Sequence, residues 1–290
     1  MGKEFSESRP TLDGKRGNVG DTVNEADKRL RGKTILITGA SGGLGEQIAY
    51  QAARQGASVI VTARREEHLN AVREKCQQLS GREAFSYVLD VGNRLQVSKV
   101  LHRILGEADG KIDVLVNNAG FGLFEPALST PYDVTEEMFR VNVLGLIQVT
   151  QKVALEMTRR RSGHIINISS QASKMATPKS AVYAGTKFAV RGYSNALRLE
   201  LKPYGIQVTT VNPGPIKTEF FAKADRDGTY LAKIGRWALD ADDVAKKVVT
   251  CMLTKKREIN LPLPMEVGAR LYVAFPRMGD FLASTMFNRK

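Results

Sequence analysis

Two side chains that can move protons lie four residues apart in the stretch "YAGTK", which contains Tyr183 and Lys187. On a helix, residues with this spacing lie on one face. A phenol has a pKa near 10, so bringing it to neutrality takes about 4 kcal/mol. One ammonium about 4 to 5 Å away supplies roughly 3 to 4 kcal/mol at an effective dielectric constant near 20. The pair therefore predicts a tyrosine that donates a proton to a carbonyl or accepts one from an alcohol.

A glycine-rich stretch, "TILITGASGGLGEQIA" at 34–49, joins a β-branched run to a helical pattern. Gly39, Gly43 and Gly45 fit one nucleotide-loop template, whereas Gly39, Gly42 and Gly45 fit another. Glycine permits positive φ and lets the backbone approach a phosphate, and the N-terminus of the next helix offers free N–H groups. Because dinucleotides bind at such strand-to-helix junctions, the stretch predicts a cofactor loop. The spacing by itself does not decide between the two templates.

The end of the second predicted strand bears on which dinucleotide binds. In "VIVTARREEH", Ala63 occupies the place where an acidic residue would bind a ribose 2′-hydroxyl. Arg64 and Arg65 follow it. A guanidinium can hold a phosphate through two hydrogen bonds. The sequence therefore favours NADP(H) over NAD(H), with Arg64 as the first candidate for the 2′-phosphate contact.

These residues are distributed over a regular alternation of strands and helices. Strands are predicted at 33–38, 58–63, 84–90, 112–118, 164–169, 206–211 and 257–262. Between them lie stretches with apolar residues at i, i+3 and i+4, so a parallel sheet covered on both sides is expected. The predicted class is α/β, a three-layer doubly wound Rossmann fold with a seven-stranded, mostly parallel sheet. We expect a disordered segment at 1–32, a catalytic domain at 33–262 and a C-terminal extension at 263–290.

Charge and composition limit the other classes of function. The net charge is +13, but the basic runs at 159–161 and 255–257 lie at expected helix ends, so no nucleic-acid partner is predicted. His68, His102 and His164 are far apart in the sequence, which predicts no metal site. No apolar run approaches the roughly 20 residues of a membrane-spanning helix. Two cysteines without CxxC spacing indicate a reducing compartment, and the predicted location is the cytoplasm.

Further motifs follow the loop in a fixed order: "VNNAG" (116–120), "VNVLG" (141–145), "INISS" (166–170), "YAGTK" (183–187) and "VNPGPIKTEF" (211–220). Over about residues 33–220 the chain resembles the single-domain branch of the short-chain dehydrogenase/reductase family. The resemblance implies an NADP(H)-dependent oxidoreductase that interconverts a carbonyl and an alcohol of a small-molecule substrate, working as a ketone or aldehyde reductase. It also selects Gly39, Gly43 and Gly45 as the functional glycines and leaves Gly42 as a position where a small residue suffices.

The resemblance further implies roles for particular residues. Tyr183 would be the general acid/base, and Ser170 would hydrogen-bond the substrate oxygen. Lys187 would also hold the nicotinamide ribose, and Asn142 would anchor a water in a proton relay. Ser170 is preferred to Ser169 because it lies thirteen residues before Tyr183, and alternation puts the two serines on opposite faces. The cofactor would contact Gly39, Ser41, Gly43, Leu44, Gly45, Arg64, Arg65, Asp90, Val91, Asn117, Ala119, Gly120, Tyr183, Lys187, Pro213, Gly214 and Thr218.

Two segments are expected to shape the substrate side and the assembly. Residues 215–239 mix apolar and charged side chains and predict a mobile substrate lid. Its aromatic residues would line an apolar pocket: Phe220, Phe221, Tyr230 and Trp237. The tail at 263–290 lacks the glycine-rich ending that many relatives use in tetramers, so a homodimer is expected ahead of a tetramer. The tail's mixture of apolar and basic residues favours packing on its own domain or a neighbouring subunit over contact with a membrane surface.

Two other functions fit parts of the pattern. One is a sugar-nucleotide epimerase or dehydratase of the family's extended branch, whose glycine spacing Gly42 also satisfies. The short chain, "NNAG" and the lack of a second substrate domain disfavour it. The other is a non-catalytic NADP(H) sensor or interaction protein, which could lose any of the four catalytic residues although all four are present. The substrate itself is not predicted, because no motif fixes the lid.

Overall fold

The structure, a computed structural model, describes residues 29–225, 228, 235 and 238–288. Its strands are β1 (Thr34–Thr38), β2 (Ser58–Ala63), β3 (Phe85–Val88), β4 (Val114–Asn117), β5 (Gly163–Ile168), β6 (Ile206–Pro213) and β7 (Glu258–Leu261). They form one sheet in the order β3-β2-β1-β4-β5-β6-β7, and every pairing is parallel. Because the strand order reverses between β1 and β4, the crevice at their carboxyl ends is the expected ligand site.

Helices cover both faces of this sheet. The α-helices are α1 (Gly43–Arg54), α2 (Glu66–Ser80), α3 (Arg94–Glu107), α4 (Tyr132–Phe139), α5 (Leu146–Arg160), α6 (Ala181–Leu201), α7 (Glu219–Ala224), α8 (Ala241–Cys251), α9 (Leu263–Ala274) and α10 (Pro276–Asn288). A π-helical turn, Arg140–Gly145, joins α4 to α5, and a 3₁₀ turn, Gln171–Ser173, follows β5. The three layers confirm the predicted doubly wound Rossmann fold, with a sheet that is parallel throughout.

Alternation along the strands creates two hydrophobic cores. On β1, Ile35 and Ile37 face the layer that contains α1, α2 and α8, whereas Leu36 faces the layer that contains α3, α5 and α6. All three side chains are fully buried. Full burial of such a side chain is worth about 1.5–3 kcal/mol. This packing fixes the carboxyl ends of the strands, where the candidate site lies.

The packed domain begins before residue 33. Leu30 is fully buried in the core, and its main-chain nitrogen donates to the oxygen of Gln55. The Arg29 guanidinium donates to the main-chain oxygens of Val249 (2.6 Å) and Met252 (2.7 Å). Arg29 and Leu30 therefore contact the domain, although a single leucine among charged residues gives no periodicity by which the sequence could indicate it. Residues 1–28 lie outside the described part of the chain.

His164, which the sequence left without a role, is buried at the start of β5. Its Nδ1 accepts from the main-chain nitrogen of Leu253 (2.8 Å), so Nε2 carries the proton and donates to Thr209 Oγ1 (2.8 Å). The Thr209 hydroxyl in turn donates to the main-chain oxygen of Lys256. Burial lowers the pKa of His164 to about 4, so the folded state holds a neutral ring over the ordinary pH range.

Acid should therefore destabilise the fold through His164. Above the unfolded-state pKa near 6.5 the ring is neutral in both states and contributes no pH dependence. Between pH 6.5 and about 4 only the unfolded chain takes up the proton, and the loss in unfolding free energy approaches about 3 kcal/mol. Urea denaturation at pH 7.5, 6 and 5 should show this loss, and His164→Asn should reduce its slope. An unchanged slope in the variant would contradict the assignment.

Candidate active site

A cavity of about 880 Å³ lies at the carboxyl edge of the sheet and gathers most of the predicted site residues. These lining residues are Gly39, Ser41, Gly43, Leu44, Arg64, Arg65, Asp90, Val91, Ala119, Gly120, Ser170, Tyr183, Pro213, Gly214 and Thr218. Gly45, Asn117, Asn142 and Lys187 do not line it. Residues from seven separate segments therefore meet around one space, as the topology of a doubly wound sheet requires.

Three glycines of the first loop are required by its backbone, and one of them is Gly43, with φ +59°. Gly39 has φ +67°, and a Cβ there would lie 2.7 Å from the Ala119 Cα. A Cβ on Gly45 would lie 2.5 Å from the Gly39 oxygen, so this glycine allows α1 to pack closely on the loop. Gly42 has extended backbone, and a Cβ there would meet only the mobile end of Arg65, at 2.9 Å. The loop thus forms a narrow cradle before the N-terminus of α1, a shape suited to a phosphate.

Of the two arginines after β2, Arg65 is the one that contacts the loop. Its Nη2 donates to the Ser41 oxygen (3.0 Å), and its Nε donates to Ser41 Oγ (3.4 Å). Its Nη1 lies 3.5 Å from Glu219 Oε2 on α7. Both Arg64 and Arg65 line the cavity, and Ala63, the last residue of β2, carries no charge. This mouth of the cavity is therefore cationic.

Tyr183 and Lys187 lie on α6 with only 7% and 6% of their surfaces exposed. The Lys187 Nζ is 5.6 Å from the centroid of the Tyr183 ring and donates to the main-chain oxygen of Ile168 (3.1 Å). Burial lowers the pKa of Lys187 to about 8. The tyrosine ring reaches the cavity, while the ammonium lies behind it, so a charged group stands next to the phenol without entering the cavity.

The two serines after β5 have different environments. Ser170 Oγ accepts from the Ala172 nitrogen (3.1 Å), caps the 3₁₀ turn and lies 3.5 Å from the Pro213 oxygen. Ser169 Oγ donates to the main-chain oxygen of Lys187 (3.1 Å) and is almost fully buried. Both serines border the cavity, but Ser169 secures α6 against β5, whereas Ser170 is only half-buried.

Asn142 is buried in the π-helical turn, a helix form that is common at functional sites. Its Oδ1 accepts from the Phe121 nitrogen (2.9 Å), and its Nδ2 donates to the Phe121 oxygen (2.8 Å). The same Nδ2 donates to Thr186 Oγ1 on α6 (3.1 Å). The side chain thus joins the segment after β4 to the helix that carries Tyr183 and Lys187.

Asn117 does not line the cofactor cleft as the sequence reading expected. Its Nδ2 donates to Thr150 Oγ1 and Asn167 Oδ1, both at 2.8 Å, so it secures β4 to α5 and β5. The next residue, Asn118, faces the cavity, and its Nδ2 donates to the oxygens of Thr38 (3.1 Å) and Gly39 (3.0 Å). Alternation of side chains at the strand end is the signal that separates the two asparagines.

Aromatic side chains beyond Tyr183 form a cluster at the other end of the cavity. The centroids of Phe124 and Phe220 lie 5.5 Å and 5.8 Å from that of Tyr183, and Phe221 stacks on Phe124 at 5.6 Å. Phe220 and Phe221 were expected there from the sequence. Phe124 was not, and the predicted Tyr230 and Trp237 lie outside the described residues.

The C-terminal helices also reach the cavity, which no sequence signal indicated. Its wall includes residues of α9 and α10: Pro264, Met265, Gly268, Leu271, Tyr272, Met278 and Gly279. The extension at 263–290 thus packs on its own domain in the described part of the chain, through contacts of α9 with β7 and the 3₁₀ turn. No helix among the described residues is long and apolar enough to cross a membrane.

A doubly wound sheet with a glycine cradle and a buried tyrosine–lysine pair at its carboxyl edge defines a Rossmann-fold protein of the nucleotide-binding class. Residues 33–228 match the family model described as short chain dehydrogenase, and the chain belongs to this family of oxidoreductases.

Individual relatives and solved structures agree with the family. The chain is 32% identical over 238 residues to a dehydrogenase/reductase SDR family protein 7-like of Drosophila melanogaster, covering 80% of this chain and 73% of the relative. It is 33% identical over 199 residues to the dehydrogenase/reductase SDR family member 7 of Mus musculus, covering 67% of this chain and 59% of the relative, so it spans about three fifths of that protein. A short-chain dehydrogenase from Sphingobium yanoikuyae in complex with NADPH superposes with a TM-score of 0.74 at 26% identity, covering 86% of this chain and 95% of that one.

Proposed function

We propose that this chain is an NADP(H)-dependent oxidoreductase that interconverts a carbonyl and an alcohol and works as a ketone or aldehyde reductase. The observation that carries the proposal is the placement of Tyr183 at the cavity wall, with the Lys187 ammonium 5.6 Å from its ring and Ser170 on the same wall. A non-catalytic sensor would need none of these side chains, yet Asn142, Ser170, Tyr183 and Lys187 are all present.

The residues at the glycine loop fit a dinucleotide with a 2′-phosphate. The cradle at Gly39 has no room for a side chain, and the loop leads into the N-terminus of α1. Arg64 and Arg65 place two guanidinium groups at this mouth, and the cofactor bound to the Sphingobium relative is NADPH. Arg65 would hold the 2′-phosphate in place of its present partner Glu219, with Arg64 beside it. When bound, the nicotinamide supplies or accepts the hydride.

The chain's own groups would manage the proton and the substrate oxygen. In the reductive direction the Tyr183 hydroxyl donates its proton to the carbonyl oxygen while the Ser170 hydroxyl donates a hydrogen bond to it. Burial lowers the pKa of Lys187 only to about 8, which is still above 7. Its ammonium is therefore mostly charged at pH 7 and stabilises the tyrosinate left behind. Asn142 acts as a positioning residue, since it secures the Phe121 backbone to α6.

The proposal also covers the cellular location, the assembly and the substrate. Both cysteines, Cys76 and Cys251, are buried and reduced, which suits the cytoplasm. The proposed assembly is a homodimer, and the proposed substrate is a small-molecule carbonyl or alcohol compound.

The proposal is tested by cofactor titration followed by turnover. Fluorescence titration should show NADPH binding at least about tenfold more tightly than NADH, and Arg65→Ala should remove most of that preference, because a charged hydrogen bond is worth about 1.5–3 kcal/mol. Arg103→Ala, on exposed α3, controls for the loss of one positive charge. A panel of aldehydes and ketones should then oxidise NADPH. Tight binding without turnover, unchanged in Tyr183→Phe, would support a sensor, and NADH binding as tightly as NADPH would contradict the arginine assignment.

A further inference from the structure

The part of the cavity beyond Tyr183 is lined by apolar side chains. Its lining residues from the segment after β4, from α4, from α7 and from the C-terminal helices are Leu123, Phe124, Val134, Phe220, Phe221, Met265, Leu271 and Met278. Among the described residues, Arg64 and Arg65 are the cationic side chains that line the cavity, and both lie at the glycine-loop mouth. Three acidic residues line the cavity: Asp90 accepts from the Gly92 nitrogen (2.9 Å), Glu219 pairs with Arg65, and Glu137 lies 3.7 Å from an Arg140 nitrogen. Within the described part of the chain, the far end therefore offers dispersion contacts but no cationic partner for an anionic substrate.

Helix α9 forms one wall of this apolar end. Met265, Gly268 and Tyr272 follow one another at helical spacing and line the cavity, while Glu266 and Ala269 between them are buried against the domain. A Cβ on Gly214 would lie 2.8 Å from the Met265 sulfur, so the wall begins close to the stretch after β6.

Gly268 leaves a gap in that wall. The residue lines the cavity, and a Cβ built on it meets no other atom within 4 Å. Its backbone does not require glycine, because its φ is not positive. Glycine in a helix interior costs about 1 kcal/mol relative to alanine, so this position keeps open space at a cost in stability.

A buried lysine attaches this wall to the serine turn. Lys174, which is 5% exposed, directly follows the 3₁₀ turn after Ser170. Its Nζ donates to Glu266 Oε2 on α9 (2.8 Å), and to Asn260 Oδ1 (2.8 Å) and Glu258 Oε2 (3.0 Å) on β7. Burial raises the pKa of the Glu258 and Glu266 carboxyls, but the hydrogen bonds and charge of Lys174, together with Asn260 and Arg191 at Glu258 and Arg270 at Glu266, lower both pKa values on balance.

The same turn is held from β6. Gln171 Nε2 donates to the Asn212 oxygen (3.1 Å), and Ser173 Oγ donates to Asn212 Oδ1 (3.3 Å). Asn212 Nδ2 then donates to Asn260 Oδ1 (2.8 Å), which also accepts from Lys174. The turn that carries the substrate-binding serine and the helix that forms the apolar wall therefore share one buried hydrogen-bond network.

We propose that α9 is the specificity wall of the site, that Lys174 is a positioning residue that holds it against the Ser170 turn, and that the site selects uncharged, bulky apolar carbonyl compounds. This rests on the proposed reductase function, because it assumes that the reacting carbonyl lies at Tyr183. A substrate with its carbonyl there would extend an apolar ring system or chain along α9 toward Gly268. A carboxylate or phosphate at the same place would be buried without a cationic partner.

The first test fills the gap at Gly268. We expect the intact protein to reduce 2-decalone, a bicyclic ketone, with a higher kcat/KM than propanal and to leave pyruvate unused. Gly268→Leu should raise the KM for 2-decalone at least tenfold while the kcat/KM for propanal changes less than threefold. Gly106→Leu is the matched control, since Gly106 lies in α3 and a Cβ there also meets no atom within 4 Å. Leucine favours helix over glycine, so both variants should fold.

The second test addresses Lys174. Lys174→Met should raise the KM for 2-decalone and leave the Kd for NADPH unchanged, whereas Lys174→Arg should restore much of the affinity. If Lys174 had only a structural role, Lys174→Met and Lys174→Arg would both lower the unfolding midpoint. The KM for 2-decalone would then not change separately from the Kd for NADPH. If Lys174→Met does not fold, Glu266→Gln weakens the same contact with its shape retained, and the same shift in KM is expected.

Binding without turnover separates the two proposals. 2-Decalone should raise the thermal midpoint of the intact protein and of Gly106→Leu, but not that of Gly268→Leu. If no carbonyl compound is reduced yet this pattern holds, the reductase proposal fails and the apolar wall stands. If propanal or pyruvate is reduced at least as efficiently as 2-decalone, or Gly268→Leu leaves both KM and the thermal shift unchanged, the specificity wall is overturned.

Discussion

Replacing Tyr183 with phenylalanine should lower kcat for carbonyl reduction by about 10² to 10⁴, the usual contribution of a positioned general acid. The change removes only the hydroxyl, because the ring remains packed against Phe124 (centroids 5.5 Å apart) and Phe220 (5.8 Å). Lys187 keeps its bond to the Ile168 oxygen, so the cofactor side of the cavity should be unaffected. The loss should therefore appear in kcat, with a near-normal Kd for NADPH and a near-normal thermal midpoint.

A second tyrosine on the same helix provides the control. Tyr193 is also on α6 and half-buried, does not line the cavity, and has its pKa raised to about 12, chiefly by burial. Tyr193→Phe should retain turnover within a few-fold of the parent in single-turnover measurements with NADPH. Equal losses in the two variants would mean that the effect of Tyr183→Phe comes from helix packing and not from the proton.

The second large effect is expected from Gly39→Ala. The new Cβ would lie 2.7 Å from the Ala119 Cα, and the residue would have to keep φ at +67°. A left-handed backbone costs an alanine about 1–2 kcal/mol, and overpacking against backbone adds about 1–3 kcal/mol. The expected result is a thermal midpoint lower by about 5 °C or more. NADPH affinity should fall at least about tenfold, because the cradle and the Ala119 backbone move apart.

Gly42→Ala is the matched substitution in the same loop. Its backbone is extended, and the new methyl would touch only the Arg65 side chain, which can move. We expect near-parental thermal melting and NADPH binding. The two variants therefore separate the glycine templates: a severe loss in Gly42→Ala with a mild one in Gly39→Ala would favour the loop of the extended branch.

Much of the fold could be predicted from periodicity. All seven strands were placed to within two residues at each end, because a parallel sheet buried on both faces leaves continuous β-branched runs such as "SVIVTA" at 58–63. Tyr183 and Lys187 could be singled out because their types and spacing carry chemistry directly, whereas the roles expected of Ser170 and Asn142 came from the family resemblance. These are the features that a one-dimensional pattern encodes.

Other features depend on contacts between distant segments. Asn117 and Asn118 are alike in type, and only the direction of each side chain separates a sheet contact from a loop contact. Leu30 packs in the core, but its neighbours in the sequence are charged residues and glycine. The local sequence pattern therefore gives no sign of its burial. The cavity wall at Gly268 is formed by a helix that follows the last strand, and its partner Lys174 is 92 residues earlier than Glu266. No spacing rule connects such positions.

The π-helical turn at Arg140–Gly145 changes the angular phase of a long helical stretch. The sequence pattern predicts one uninterrupted helix from α4 through α5, but a π turn accommodates more residues per turn than an α turn. The side chains after residue 145 are therefore rotated about the helix axis relative to the directions that an uninterrupted α-helix would give them. Val141, Asn142 and Val143 are consecutive and all buried.

The contact of Asn142 with the Phe121 backbone thus depends on the π turn as well as on the type of the residue. Loss of Arg140 would restore ordinary helical pitch and turn the amide away from the Phe121 backbone, even with the motif "VNVLG" still present. An alignment that scores residue types but tolerates a gap here would rate such a chain as intact. The number of residues in the turn is as much part of the site as the side chains that it carries.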